Sequence, residues 1–161
     1  MISTAIDWLG PAKLLSSSVR SLRGGADDDC VLVLQHENGS ISYLSGSALV
    51  GAPGPRIRLL GTQGALIINA LDPQEALLRV GKAPTDGHWD VPTRSQTFLH
   101  RGDEVEEIAS ADGNYATFYA EVKGAIKGLN PWPVSTSDAL LVAQIIDQAR
   151  AQSVHLLQRN F

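Results

Sequence analysis

The sequence predicts an α+β fold, an open, mostly antiparallel β-sheet with helices packed on one face. Two observations predict it. The first two-thirds of the chain reads as short apolar or alternating runs punctuated by Gly, Pro and Asn, whereas helical spacing dominates the last third. Consecutive strands followed by consecutive helices place the helices on one side of the sheet. With 161 residues, the span 1–161 is read as a single domain.

A helix is expected over Ile2 to Leu9, stopped by Gly10-Pro11. Lys13 to Arg23 is Ser-rich and extended, and ends at Gly24-Gly25 and the acidic run Asp27-Asp28-Asp29. Cys30 to His36 is apolar on both faces, as a central strand is. Asn38-Gly39 is the strongest hairpin signal in the chain, so Ile41 to Leu44 returns antiparallel. Arg56 to Leu59 alternates polar and apolar residues. Gly61 to Gly64 is a turn, with strands expected over Ala65 to Leu71 and Ala76 to Val80. Lys82 to Arg94 is a polar loop, and one or two weaker strands lie between Gln96 and Ala109.

Asn114 to Leu129 sets Tyr115, Phe118, Tyr119, Val122, Ile126 and Leu129 at three- and four-residue intervals, one helical stripe. Asn130-Pro131-Trp132-Pro133 stops it. Ser135 is the N-cap of a second helix to Ala151, with Asp138 favourably in its first turn. That helix is apolar nearly all round, which predicts burial on more than one side, and Val154 to Leu157 is expected to close the fold as a strand. Two helices cover one sheet face; the other must be polar or pack on something else.

Composition narrows the function classes. Hydrophobic residues are 43% and charged residues 19%, an ordinary globular balance. The net charge of −4 gives no electrostatic basis for binding nucleic acid. No run of about 18 apolar residues predicts a membrane span. The N-terminus lacks the basic and apolar regions of a signal peptide. A lone cysteine, Cys30, excludes an internal disulfide and fits a buried structural role in a reducing cytoplasm.

The candidate chemistry is sparse. Gly61-Thr62-Gln63-Gly64 opens no helix, so it fails the context test for a dinucleotide loop. His36, His88, His100 and His155 show no metal-ligand spacing, and His36 and His155 read as surface or strand-edge residues. Asp103, Glu104, Glu106 and Glu107 read as a solvated strand face, and three consecutive Asp at 27–29 alternate sides and do not converge on a cation. Ser16 to Ser18 and Ser45 to Ser47 lack a nucleophile-elbow context. His88-Trp89 stands out within the polar loop: Trp offers a flat platform for a sugar ring, although it equally suits anchoring the loop. His88 and Trp89 are therefore the candidate substrate contacts. No catalytic, cofactor-binding or metal-ligating residue is assigned.

The ordered set of Asn38-Gly39-Ser40, Arg58-Leu59-Leu60-Gly61-Thr62-Gln63-Gly64, the aromatic-striped helix, Asn130-Pro131-Trp132-Pro133-Val134-Ser135, Ser137-Asp138-Ala139-Leu140 and Ile145 to Ser153 resembles the C-terminal domain of the Gfo/Idh/MocA oxidoreductases over nearly the whole chain. The resemblance implies a large, mostly antiparallel sheet that mediates dimerisation and closes a substrate pocket. It also implies an N-terminal Rossmann domain that binds NAD or NADP, and hydride transfer on a sugar, polyol or related small molecule. This sequence lacks that Rossmann domain, its glycine fingerprint and its active-site Lys. The family's Asp-x-x-x-His pair falls just before Ile2 to Leu9, so no catalytic residue carries over.

The chain is expected to be part of a longer cytoplasmic enzyme. Its partners would be the missing Rossmann domain, a second copy met through the sheet face, and a small-molecule substrate. Alone it is expected to be inactive and to bind no nucleotide. A stand-alone, non-catalytic binding or dimerisation module is the alternative.

Overall fold

A computed structural model describes residues 1–52, 54–69, 74–83, 96–109 and 115–158, with side chains to residue 153 in the last segment. In chain order the elements are α1 (Ile2–Leu9), β1 (Ala12–Arg20), β2 (Asp29–His36), β3 (Ile41–Ser47), β4 (Ile57–Gly61), β5 (Gly64–Ile68), α2 (Gln74–Arg79), β6 (Thr97–Arg101), β7 (Glu104–Ile108), α3 (Tyr115–Ile126) and α4 (Thr136–Gln158). Every strand pairing is antiparallel. The α+β class is as predicted. The strands form two ladders among the described residues, β1-β2-β3 and β4-β5-β6-β7. The chain likewise divides into two compact units, Met1–Gly51 with Val134–Phe161, and Ala52–Pro133.

In the first unit the pleat sorts residues cleanly. Leu32, Leu34 and His36 of β2 share a buried face with Ala12 and Ser17 of β1 and Ser42 of β3. The register shifts between Leu14 and Ser16, which leaves Leu15 as an extra, exposed residue. Side chains alternate with period two, so this bulge turns Ser17 inward rather than outward. Ser17 Oγ then lies 2.9 Å from the Ala149 carbonyl of α4, to which it donates. Ser153 Oγ donates to the same carbonyl at 2.8 Å and accepts the Val19 N–H at 2.9 Å. β1 is an edge strand, and this bond satisfies one of its unpaired donors.

The core beside this seat is Ile6, Ala12, Leu34 and Ile145, with Ile2, Leu14, Leu44, Leu141 and Val142 packed around them. Ile2 and Ile6 stand four apart on α1, and Leu141, Ile145 and Ala149 four apart on α4, so each helix meets the sheet through one stripe. Ser135 caps α4 as predicted, its Oγ accepting the Asp138 N–H at 3.0 Å. The expectation of burial on several sides of α4 does not hold in this chain, because Leu140 and Ile146 are exposed.

In the second unit, β4 and β5 close through Thr62-Gln63. Gly64 is required there: a Cβ would sit 2.6 Å from the His100 carbonyl oxygen of β6. The Tyr115 N–H that starts α3 donates to the side chain of buried Gln74 at 2.9 Å, which satisfies one of the donors a helix start leaves free. The aromatic stripe on α3 is exposed, with Phe118 and Tyr119 edge to face at 5.7 Å.

Two predicted strands are helical. The 74–79 segment forms α2 because Glu75-Ala76-Leu77-Leu78-Arg79 are strong helix formers, and Glu75 pairs with Arg79 one turn on at 2.6 Å. Residues 154–157 continue α4. No Gly or Pro interrupts the sequence there, and extending an existing helix is far easier than starting a strand.

Leu34 and Ile145 are 0% and 1% exposed. Replacing Ile145 with Ala is expected to destabilise the chain by about 2–5 kcal/mol, the usual scale for emptying a buried aliphatic site, whereas Leu140→Ala on the exposed side should cost well under 1 kcal/mol. Urea unfolding followed by circular dichroism separates the two; equal losses would show that α4 does not seat through the Ile145 face.

Candidate functional site

A polar arrangement in the first unit lies where the β2–β3 hairpin meets the end of α1. Three consecutive carbonyls there are received by the hairpin. Asn38 Nδ2 donates to Leu9 O at 3.0 Å, His36 Nδ1 lies 2.7 Å from Gly10 O, and the Glu37 N–H donates to Pro11 O at 3.1 Å. A carbonyl only accepts, so His36 carries a proton on Nδ1, and Nε2 is paired with the Ser42 hydroxyl at 2.8 Å. His36 is 2% exposed, which corrects its reading as a surface or strand-edge residue. Both ring nitrogens are occupied, so it is a structural pin rather than a ligand or base. Its sequence signal is its place in register with Ala12 at the closed end of the sheet, which local pattern does not reveal.

The acidic run is neutralised residue by residue. Asp27 pairs with Arg150 at 2.8 Å, Asp28 with Arg23 at 3.0 Å and Asp29 with Arg20 at 2.6 Å. The three carboxylates diverge to three different arginines, as their alternating directions predicted. Asp28 also accepts the Leu22 N–H at 2.8 Å and the Arg23 N–H at 3.0 Å. The Leu22 N–H chiefly, helped by Arg23, holds its carboxyl below the usual carboxylate range against a smaller opposing effect of desolvation.

In the second unit, Gly61-Thr62-Gln63-Gly64 joins two strands and opens no helix. Leu59, Leu66 and Leu99 lie side by side across β4, β5 and β6, and with Arg101 they line a shallow groove at this turn. His100 stands on the opposite face, in register with Ala65 and Val105. β7 is the solvated edge predicted for the 103–107 carboxylates, with Glu106 meeting Arg101 at 3.4 Å. At the end of α3 a second open cleft is lined by Thr117, Glu121, Trp132 and the two prolines beside it. Asn130 fixes its floor by donating to the Glu121 and Pro131 carbonyls at 3.0 and 3.1 Å. The sequence marked this tetrapeptide as a helix stop but gave no sign of that double bond.

Cys30 is half-buried, with its sulfur and the Met1 side chain both close to Gly46. Among the described residues no group of three or more His, Cys, Asp or Glu could hold a metal ion, and no helix is long and apolar enough to cross a membrane. His88 and Trp89 lie outside the described residues, as does the side chain of His155.

The remaining feature is a sheet face of the first unit that is left exposed among the described residues. On the side of β1-β2-β3 away from α4, Ser16, Val33 and Tyr43 form one cross-strand row and Ser18, Val31 and Ser45 the next. Tyr43 is 78% exposed and Val31 and Ile41 are also open. In the other sheet Arg58 shares a row with Ile67, Phe98 and Glu107.

Comparison with known proteins agrees with this architecture. The family model described as "Oxidoreductase family, C-terminal alpha/beta domain", of the Gfo/Idh/MocA group, matches residues 1–155. The scyllo-inositol 2-dehydrogenase (NADP(+)) IolW of Bacillus subtilis is 28% identical over 159 residues, covering 95% of this chain and 44% of that protein. The uncharacterized oxidoreductase YdgJ of Escherichia coli is 28% identical over 160 residues, 96% of this chain and 46% of that one. The solved structure of the oxidoreductase yvaA from Bacillus subtilis superposes with a TM-score of 0.81 at 28% identity, over 96% of this chain and 47% of that one. The chain thus spans about half the length of the curated relatives it matches.

The Asp28 loop gives a pH test. Its folded carboxyl titrates below the ordinary value of 3.8, so folding favours the ionised form; the loop's stabilisation is complete above that value and is lost as pH falls through the folded one. The Leu22 and Arg23 amide resonances should be constant through neutral pH and shift with a midpoint below 3.8. In Asp28→Asn that transition should vanish, and a midpoint at or above the ordinary value would refute the assignment.

Proposed function

We propose that this chain, which belongs to the Gfo/Idh/MocA oxidoreductase family through its C-terminal alpha/beta domain, is the substrate-side and oligomerisation half of an NAD(P)-dependent oxidoreductase acting on a sugar, polyol or related small molecule. The observation that carries the reading is the family match over residues 1–155, supported by a relative whose name specifies an inositol substrate and NADP(+). A nicotinamide cofactor would supply hydride exchange with a hydroxyl-bearing carbon. The described residues do not fit that cofactor. A pyrophosphate needs a glycine turn opening a helix, and the Gly61–Gly64 turn leads into β5 instead. On this reading NAD or NADP is held by a separate Rossmann domain of the complete, cytoplasmic enzyme, and residues 1–161 form one domain beside it.

The part left to this chain is to shape the pocket and to join two copies. His88 and Trp89 are the proposed substrate contacts, Trp89 stacking on a ring face and His88 bonding a hydroxyl. Such groups position the substrate and do not move the reacting proton. The uncovered face carrying Val31, Ile41 and Tyr43 is the proposed homodimer surface, since pairing it buries an apolar patch while α4 stays outside.

The coding sequence upstream of Met1 decides first between this reading and a stand-alone module: a strand, a glycine-rich turn and a helix support an enzyme, and an in-frame stop refutes it. In the full-length enzyme, His88→Ala and Trp89→Ala should each raise KM by about tenfold or less, the scale of a single hydrogen bond or ring contact, with melting temperature unchanged. Unchanged kinetics in both would remove them from the site. Calorimetric titration of the 161-residue chain with NADPH should give no binding signal. Sedimentation should show a dimer that Tyr43→Arg converts to monomer; a concentration-independent monomer mass for the unsubstituted chain would overturn the surface assignment.

A further inference from the structure

Asn38-Gly39 was singled out as a turn, yet its side chain does something the turn does not need. Asn38 Nδ2 donates to Leu9 O at 3.0 Å, and its Oδ1 accepts the Ser40 N–H at 2.9 Å. The first bond ties the exposed hairpin tip to the last residue of α1, 29 positions away. Gly39 adopts φ 87°, where a side chain would be strained, and its N–H donates to His36 O at 3.0 Å. Without a Cβ on Gly39, nothing shields the Asn38 carboxamide carbon from the backbone nitrogen that follows it. Asparagine is chemically labile for this reason among others.

We propose that Asn38 is a self-modification site whose reaction is gated by its bond to Leu9. When that contact opens, the Gly39 backbone nitrogen gives up its proton and attacks Asn38 Cγ. The N–Cγ bond closes a five-membered succinimide, and the Cγ–Nδ2 bond breaks to release ammonia. Water then opens the ring at either carbonyl and leaves an aspartyl or isoaspartyl residue at position 38. One water is consumed and one ammonia released, with no change in oxidation state.

In the closed state all the participants are engaged. Leu9 and Ser40 hold the carboxamide, and His36 O holds the attacking nitrogen. The rate therefore follows opening of the α1–hairpin contact. The product cannot restore that contact. A carboxylate has no proton to give Leu9 O, and it is a negative charge placed at the negative end of a helix. An isoaspartyl linkage also adds a backbone atom within the tightest turn of the β2–β3 ladder. Modification thus removes the Asn38–Leu9 tie irreversibly and loosens the end of α1, which His36 and Glu37 still hold through Gly10 O and Pro11 O.

The test is peptide mass mapping of the 161-residue chain held at mildly alkaline pH, in native buffer and in urea. Conversion from amide to acid at Asn38 should exceed that at Asn69, Asn114, Asn130 and Asn160, which precede Ala70, Tyr115, Pro131 and Phe161. It should be several-fold faster in urea than in native buffer. Conversion at Asn38 no faster than at the other four asparagines would overturn the site, and equal rates in the two solvents would overturn the gate. Asn38→Asp should speed hydrogen exchange of the Gly10 amide, which donates to Ile6 O at 2.8 Å. Asn38→Ser, which keeps a turn-forming side chain, should fold and show no conversion at that position. Unchanged Gly10 exchange in Asn38→Asp would overturn the claimed effect on α1.

Discussion

The seat of α4 along β1 depends on one extra residue. Leu15 is the bulge that reverses which way the following side chains point, and without it Ser17 would face the open side of the sheet. With it, Ser17 and Ser153 both donate to the Ala149 carbonyl, and Ser153 also takes the Val19 N–H. These bonds are modest singly, about 1 kcal/mol each, but leaving such groups buried and unpaired would cost more. They set the lateral position of α4, and that position brings Ile145 over Leu34, Ile6 and Ala12. The apolar core closes because the polar seat is correct.

The same logic governs the other polar groups of this unit. Asn38 and His36 donate to the Leu9 and Gly10 carbonyls at the end of α1, and Ser42 pairs with the second nitrogen of His36. The aspartates of 27–29 are each taken by an arginine, one of them from α4. Groups that would suggest chemistry when read singly, an imidazole and a triplet of carboxylates, are consumed in holding the fold. Among the described residues, the sheet face that carries Tyr43 and the aromatic stripe on α3 stay exposed.

Several features were readable directly from sequence because they have a local cause. Period-two alternation marked β4, Asn38-Gly39 marked the β2–β3 turn, Gly10-Pro11 ended α1, and Ser135 began α4. The ordered motifs that resemble the oxidoreductase domain are likewise local turns and caps, which is why the family was legible without coordinates. The 74–79 and 154–157 segments were misread because a short apolar run carries no usable period, and helix and strand differ there only through what precedes the run and what it packs on.

By itself, then, the sequence determined the class of fold, the antiparallel order of its hairpins and the position of its caps, since each follows from neighbouring residues. Only the tertiary structure decided that His36 is an interior pin, that Ser17 points at α4, that one face of α4 is buried, and that the carboxylates of 27–29 are spent on arginines. Those outcomes rest on register and on partners far along the chain, as for Ser17 and Ala149, 132 positions apart. A pattern read along the chain cannot contain them, because the energy of burying a polar group is settled by what meets it across the fold.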